Sequence, residues 1–369
     1  MIYFDSAATT LQKPDTVPKA VAEAISTMTT PGRGNYPASR KAAEMMFRLR
    51  TTAAELFDVP EPDNVVLTGN ATHGLNIAIK SLVRPGDHVV ISGYEHNAVT
   101  RPLHAIGDVR VTVVNGRLFD REQMLQGFMK AITRDVRAVI CTEVSNVFGY
   151  ALPIDDLAEL CRQRGVPLIV DASQAAGILP VKLNTWGAAF VAMPGHKGLY
   201  GPQGTGLLLC GQTVKPESLM EGGTGSLSRL QTMPEFLPDR LEAGTHNVHG
   251  AAGLLAGMEF VRDTGIERIA GHEAELIRAL AEGLREIGGY QVYAGPDSSV
   301  LSVKPQCIEV EPLAELLASE GIAVRAGLHC APLAHMTAGT APGGTLRFSA
   351  SWFNTMDEVE DILRHMPKP

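Results

Sequence analysis

The residues best suited to chemistry in this 369-residue chain fall in five short polar clusters. Lys197 stands in Pro194-Gly-His-Lys-Gly198, directly after an apolar run. A lysine in a partly desolvated site has a lowered pKa and can form a Schiff base with an aldehyde. Taken alone, a lysine after a strand is more often a solvated surface residue. Asp171 follows Pro-Leu-Ile-Val, a run that should be buried. A carboxylate there is costly unless it meets a cation or strong donors. The protonated nitrogen of a pyridine ring is such a cation, and Gln174 could reach a phenolic oxygen on the same ring. The competing reading of Asp171 is a helix N-cap. Gly69-Asn-Ala-Thr-His73 runs into a helical pattern. Its backbone N–H groups and the Thr72 hydroxyl could cradle a phosphate, or Thr72 could simply cap the helix. His96, in Glu95-His-Asn97, could stack on an aromatic cofactor or relay protons, or be an ordinary satisfied polar residue. The fifth cluster runs from Glu143 to Asn146.

Each cluster follows a strand candidate. Short apolar runs at Val65–Thr68, His88–Ser92, Arg110–Val114, Ala138–Thr142, Pro167–Val170, Ala189–Met193 and Gly206–Leu209 predict seven strands. Several are nearly all apolar, as in strands buried on both faces of a largely parallel sheet. Helical patterns such as Thr72–Ser81 and Ile154–Arg164 lie between them, which implies an α/β sheet with helices on both sides. Open sheets of this kind bind ligands outside the carboxyl ends of their strands, so five clusters on one rim describe a site. Residues 216–246 read as long Gly- and Pro-containing loops. Beyond them, an apolar stripe along Ile269–Ile287, strands at Ile322–Arg325 and Thr345–Ser349 and a helix from about Asp357 outline a second, α+β domain. Residues 331–345 read as a loop made mobile by Gly339, Gly343 and Gly344. Gly204-Thr-Gly206 and Gly222–Gly225 do not match a nucleotide-binding loop.

Composition narrows the function. The 45% apolar and 20% charged content is that of an ordinary globular protein, and the net charge of −8 without a basic run argues against nucleic acid as a partner. No apolar run approaches the roughly 20 residues needed to span a bilayer, and the N-terminus lacks signal-peptide features. The five cysteines have no metal-ligand spacing, so neither a metal centre nor structural disulfides are expected, and a cytoplasmic location fits.

Asp171-Ala-Ser-Gln174, Gly195-His-Lys197 and Tyr200-Gly-Pro resemble the class V aminotransferase family of pyridoxal-phosphate (PLP) enzymes, in particular its cysteine desulfurase/selenocysteine lyase group. The likeness extends to Tyr3-Phe-Asp-Ser-Ala-Ala8, Val144-Ser-Asn-Val-Phe-Gly149, Arg240-Leu-Glu-Ala-Gly-Thr245, Arg325-Ala-Gly-Leu-His-Cys330 and Arg347. It implies a PLP-dependent transferase type I fold, with a large domain at 13–249 built on a mainly parallel seven-stranded sheet. A smaller α+β domain would comprise 1–12 and 250–369 and carry the cysteine loop. By the same resemblance Lys197 holds the cofactor, Asp171 its ring nitrogen and Gln174 its phenolic oxygen, while His96 stacks on the ring. Ala71, Thr72, His196 and Thr245 of the partner subunit hold the phosphate, which implies a homodimer. Asn146, on both cofactor and substrate, joins Arg325 and Arg347 in binding L-cysteine or selenocysteine. Cys330 takes the sulfur as a persulfide for a sulfur-acceptor protein, with His329 and Arg325 as cations that favour its thiolate. The other cysteines are taken as structural. A β-lyase, epimerase or aminotransferase would need Lys197 but not Cys330. The chain departs from SUF-type desulfurases at Pro194, at the extra Gly198, and at Gly32–Pro37, where those enzymes carry a histidine.

Overall fold

In the computed structural model, which describes residues 1–32 and 34–368, all seven expected strands form in one sheet. Arg33, within the Gly32–Pro37 departure, lies outside the described residues. The strands in chain order are β1 (Ile2–Tyr3), β2 (Val65–Thr68), β3 (His88–Ser92), β4 (Arg110–Val114), β5 (Val136–Thr142), β6 (Leu168–Asp171), β7 (Phe190–Pro194), β8 (Gly206–Cys210), β9 (Tyr290–Ala294), β10 (Val300–Pro305), β11 (Ile322–Ala323), β12 (Arg325–Gly327) and β13 (Thr345–Ser349). β6 and β7 begin and end one residue later than their apolar runs suggest. Pro167, which has no N–H to donate, stays outside β6.

The large sheet has the order β2-β8-β7-β6-β5-β3-β4, and only β8 runs against its neighbours. β3, β7 and β8 are buried along their whole length, which is why they read as continuous apolar runs. Alternate side chains serve two cores. Val139, Val170, Val191 and Leu209 face one, and Ile140, Ile169, Ala192 and Leu208 the other.

A second sheet, β12-β13-β10-β9, is antiparallel, and β1 pairs in parallel with β11 beside it. Phe4, Leu280, Leu301, Phe348 and Ile362 form its core with the helix Ile266–Ile287. The single strand read at Ile322–Arg325 is broken at Val324, so β11 pairs with β1 and β12 with β13. Within residues 331–345, read as a loop whose glycines suggest mobility, Pro332–Ala338 is a helix, started by the fixed φ of Pro332 and stopped by left-handed Gly339. The expected domain division at 249/250 falls inside the helix Val248–Thr264, whose Leu254, Leu255 and Met258 belong to a large-sheet core. We propose that the division lies near Gly265, where that helix ends. Among the described residues no helix is long and apolar enough to cross a membrane.

Two glycines behind Lys197 fix how its loop sits. Gly177 has φ +88°, and a Cβ there would lie 2.1 Å from the Gly198 carbonyl oxygen. A Cβ on Gly198 would in turn lie 2.4 Å from the Ala176 carbonyl. The additional glycine after Lys197 thus lets two backbones touch. Gly177→Ala is expected to destabilise the fold by about 2 kcal/mol, through both backbone strain and overpacking. Urea unfolding with an unchanged midpoint would contradict this.

Candidate active site

Because β2, β3, β5, β6 and β7 all point the same way, the five polar clusters come together at one rim of the sheet. They line a single cavity with Ala7 and Ala8 from the N-terminal segment and with Arg325, Cys330 and Arg347 from the smaller sheet. Of the residues expected to form the site, only Thr245 lies elsewhere. It lines a neighbouring cavity with Gly69, His73 and Thr205.

On one side the cavity is rich in unspent donors. Asn70, not Thr72, caps the helix Ala71–Leu82, accepting from the His73 backbone at 2.9 Å. The Thr72 side chain is left without a hydrogen bond among the described residues, at a helix N-terminus whose first N–H groups are also free. His196 also lines the cavity, with a buried Nδ1 that has no partner among the described residues, and burial lowers its pKa to about 4, so the ring is neutral. Together these form an anion cradle.

Asp171, 2% exposed, sits at the end of β6, the central strand of the rim. Ser173 donates to its Oδ1 from both backbone and hydroxyl, while Oδ2 makes no hydrogen bond among the described residues. Asp171 is therefore not a helix N-cap, and its free oxygen suits a protonated ring nitrogen. Gln174 donates to the Ala7 carbonyl at 3.0 Å while lining the cavity. His96 caps the helix Asn97–Ile106, its Nδ1 accepting from Ala98 N at 3.0 Å. Burial is the largest influence on its pKa, which falls below the usual value. Lys197 makes no side-chain hydrogen bond among the described residues, and burial brings its pKa to about 8 against the opposing pull of Asp171. An uncharged amine is therefore available near neutral pH.

The opposite side carries positive charge. Arg347 lies on β13 directly across from Arg325 on β12. Arg347 is 1% exposed and donates to the Asp5 carboxylate at 2.6 Å and to the Asn146 carbonyl at 3.0 Å. The Asn146 amide in turn donates to the His329 carbonyl at 2.8 Å, and Asn97 N donates to the Cys330 carbonyl at 2.8 Å. These two bonds pin a tight turn in which His329 and Cys330 both adopt left-handed φ, near +48° and +57°. The turn presents an exposed Cys330 thiol to the cavity. Cys141, Cys161 and Cys210 are buried, and burial raises the Cys161 thiol to about 12. Cys307, taken from the sequence as structural, is instead exposed and lies away from the cavity.

Asp5 and Ser173 were not among the expected site residues. Asp5 belongs to an opening motif visible in the sequence, but nothing in the motif points to an arginine 342 residues away.

His329 corrects another expectation. It is buried, its Nε2 is 3.0 Å from the Thr345 carbonyl, and burial together with Arg347 pushes its pKa to about 2. A neutral imidazole lends Cys330 no positive charge, so Arg325 alone remains of the two cations expected to favour the thiolate. Alkylation of Cys330 by iodoacetamide should accordingly show no step between about pH 5 and 7, where an ordinary histidine charges. A step there that vanished in His329→Asn would contradict this assignment.

A family model described as Aminotransferase class-V matches residues 2–362. The chain is 34% identical to a "Probable cysteine desulfurase" of Xylella fastidiosa, over 100% of this chain and 90% of the relative. It is 30% identical to a "Cysteine desulfurase" of Escherichia coli O127:H6, over 98% and 92% respectively. The apo cysteine desulfurase structure from Thermococcus onnurineus NA1 superposes with a TM-score of 0.90 at 28% identity, covering 98% of this chain and 93% of that one. The fold is thus the PLP-dependent transferase type I fold. With its cavity built from both sheets and its sequence matched almost end to end, the chain belongs to the class-V aminotransferase family.

Proposed function

We propose that this protein is a PLP-dependent cysteine desulfurase, which takes sulfur from L-cysteine, releases L-alanine and carries the sulfur as a Cys330 persulfide. One observation carries the reading: an exposed thiol faces the same cavity as a lysine whose pKa burial lowers to about 8 and a buried arginine. Class V reactions without sulfur transfer have no use for that thiol. The names of the relatives agree with this reading.

The donor set fits the cofactor. The anion cradle of Ala71, Thr72 and His196 suits a phosphate, the free Asp171 oxygen a ring N–H, and the His96 ring an aromatic face. Lys197 suits an aldehyde. When bound, PLP supplies an electron sink that loosens bonds at the carbons of the attached amino acid. The chain's own residues do the rest. Arg347 and Arg325 draw in the substrate carboxylate, and Asn146 holds Arg347 and the Cys330 turn in register. Lys197, with a pKa of about 8, can both take and return a proton at the substrate carbons. The Cys330 thiolate attacks the substrate sulfur, forming an S–S bond as the Cβ–Sγ bond breaks. The electron pair of that bond stays with the carbon skeleton, which gains a proton and leaves as alanine.

Thr245 faces a cavity of its own, next to Gly69, which supports a homodimer in which Thr245 of the partner subunit completes the phosphate site. The exposure of Cys330 suits delivery of the sulfur to an acceptor protein.

The test is production of alanine and sulfide from L-cysteine with a reductant present. Both products are expected from the wild type. Cys330→Ala should lose roughly 100-fold or more in rate while keeping the cofactor absorbance, and Lys197→Ala should lose both. A fully active Cys330→Ala would rule out the persulfide and point to another class V reaction.

A further inference from the structure

Arg347 is the most deeply buried cation facing the cavity, and it is not idle in the absence of substrate. Its Nη2 donates to Asp5 Oδ1 at 2.6 Å and its Nη1 to the Asn146 carbonyl, while its Nε is buried with no partner among the described residues. Nε and Nη2 lie on the same edge of a guanidinium, the edge that takes a carboxylate side-on in a two-bond fork. One half of that fork is unsatisfied and the other half is held by Asp5.

The two members of the pair differ in freedom. Arg347 is 1% exposed and stays anchored by Asn146 whatever Asp5 does, whereas the Asp5 side chain is 20% exposed. The Asp5 backbone is fixed against β13 by its bridge to Ser349 and by the Ser6 N–H to the Ser349 carbonyl. Only the carboxylate has room to turn towards water. A buried guanidinium without a counter-charge is strongly unfavourable, and Arg325 directly across the sheet makes it more so. The free enzyme therefore needs an anion on Arg347, and the substrate brings one of its own.

We propose that Asp5 is the resting counter-ion of the substrate clamp, a built-in carboxylate that the substrate carboxylate displaces from Arg347. Asp5 is thus a positioning residue that competes with the substrate: it keeps the clamp in shape when the cavity is free and sets how tightly an amino acid is held. The proposal rests on the reading of Arg347 as the carboxylate site.

The experiment uses cofactor-loaded enzyme titrated with L-alanine and followed by cofactor absorbance, with ethylamine, which lacks the carboxylate, as the control. Asp5→Asn and Asp5→Ala should bind L-alanine about three- to tenfold more tightly than wild type, with ethylamine changed by less than about twofold. The KM for L-cysteine should fall in the same direction, with a smaller change in kcat. Arg347→Gln should lose the preference for L-alanine over ethylamine. Unchanged or weaker L-alanine binding in both Asp5 variants, or a gain shared equally by ethylamine, overturns the proposal while leaving Arg347 as the clamp. An Arg347→Gln enzyme that still prefers L-alanine overturns the clamp reading, and the proposal with it.

Discussion

Withdrawing the Arg347 guanidinium from water is the constraint around which the substrate side of the site is organised. An arginine at 1% exposure needs partners for its donors and an anion for its charge. The Asn146 carbonyl, from the loop after β5, supplies one partner, and Asp5, from the N-terminal segment, supplies the anion. The Asn146 contact crosses from one sheet to the other, whereas Asp5 lies beside β13 itself. The same Asn146 then reaches the cysteine turn, so one buried charge ties together β13, the turn that carries Cys330 and the rim of the large sheet.

The surrounding carboxylates are arranged so as not to compete. Burial lifts Glu95 and Glu143 to about 8, leaving them largely uncharged near neutral pH, each with a buried oxygen that has no partner among the described residues. Asp171 and Asp5 remain to balance Lys197 and the two arginines. His196 and His329 are kept neutral by burial in the same way. The cavity and its surroundings are therefore less charged than their residue types suggest.

Much of this was legible in the sequence because the large sheet is buried on both faces. Its strands read as apolar runs, and a cluster placed after a strand is a cluster on the rim, so Lys197, Asp171, His96 and Thr72 could be placed together without coordinates. Geometry within the rim was less legible. Whether Asn70 or Thr72 caps the helix depends on side-chain direction, and the neutral state of His329 depends on its burial in the folded chain, which no local pattern shows. The helix Pro332–Ala338 was hidden by its glycine-rich setting, although Pro332 and Gly339 mark its two ends. The break at Val324 could not be read because one apolar run serves two sheets. The pairing of Asp5 with Arg347 was invisible for a similar reason: a contact between residues 5 and 347 leaves no local pattern.

That long-range pairing has a consequence for how the enzyme comes into being. The last strand of the large sheet ends at Cys210, whereas Arg347 is more than a hundred residues further on. Chains begin to fold from the N-terminal side as they are synthesised. A chain still on the ribosome can therefore assemble the rim around Lys197 long before Arg347 has emerged. In the interval Asp5 and Asn146 have no cation between them and the cysteine turn has no neighbouring sheet. The side of the cavity that carries Arg347 and Cys330 is therefore the last to be made.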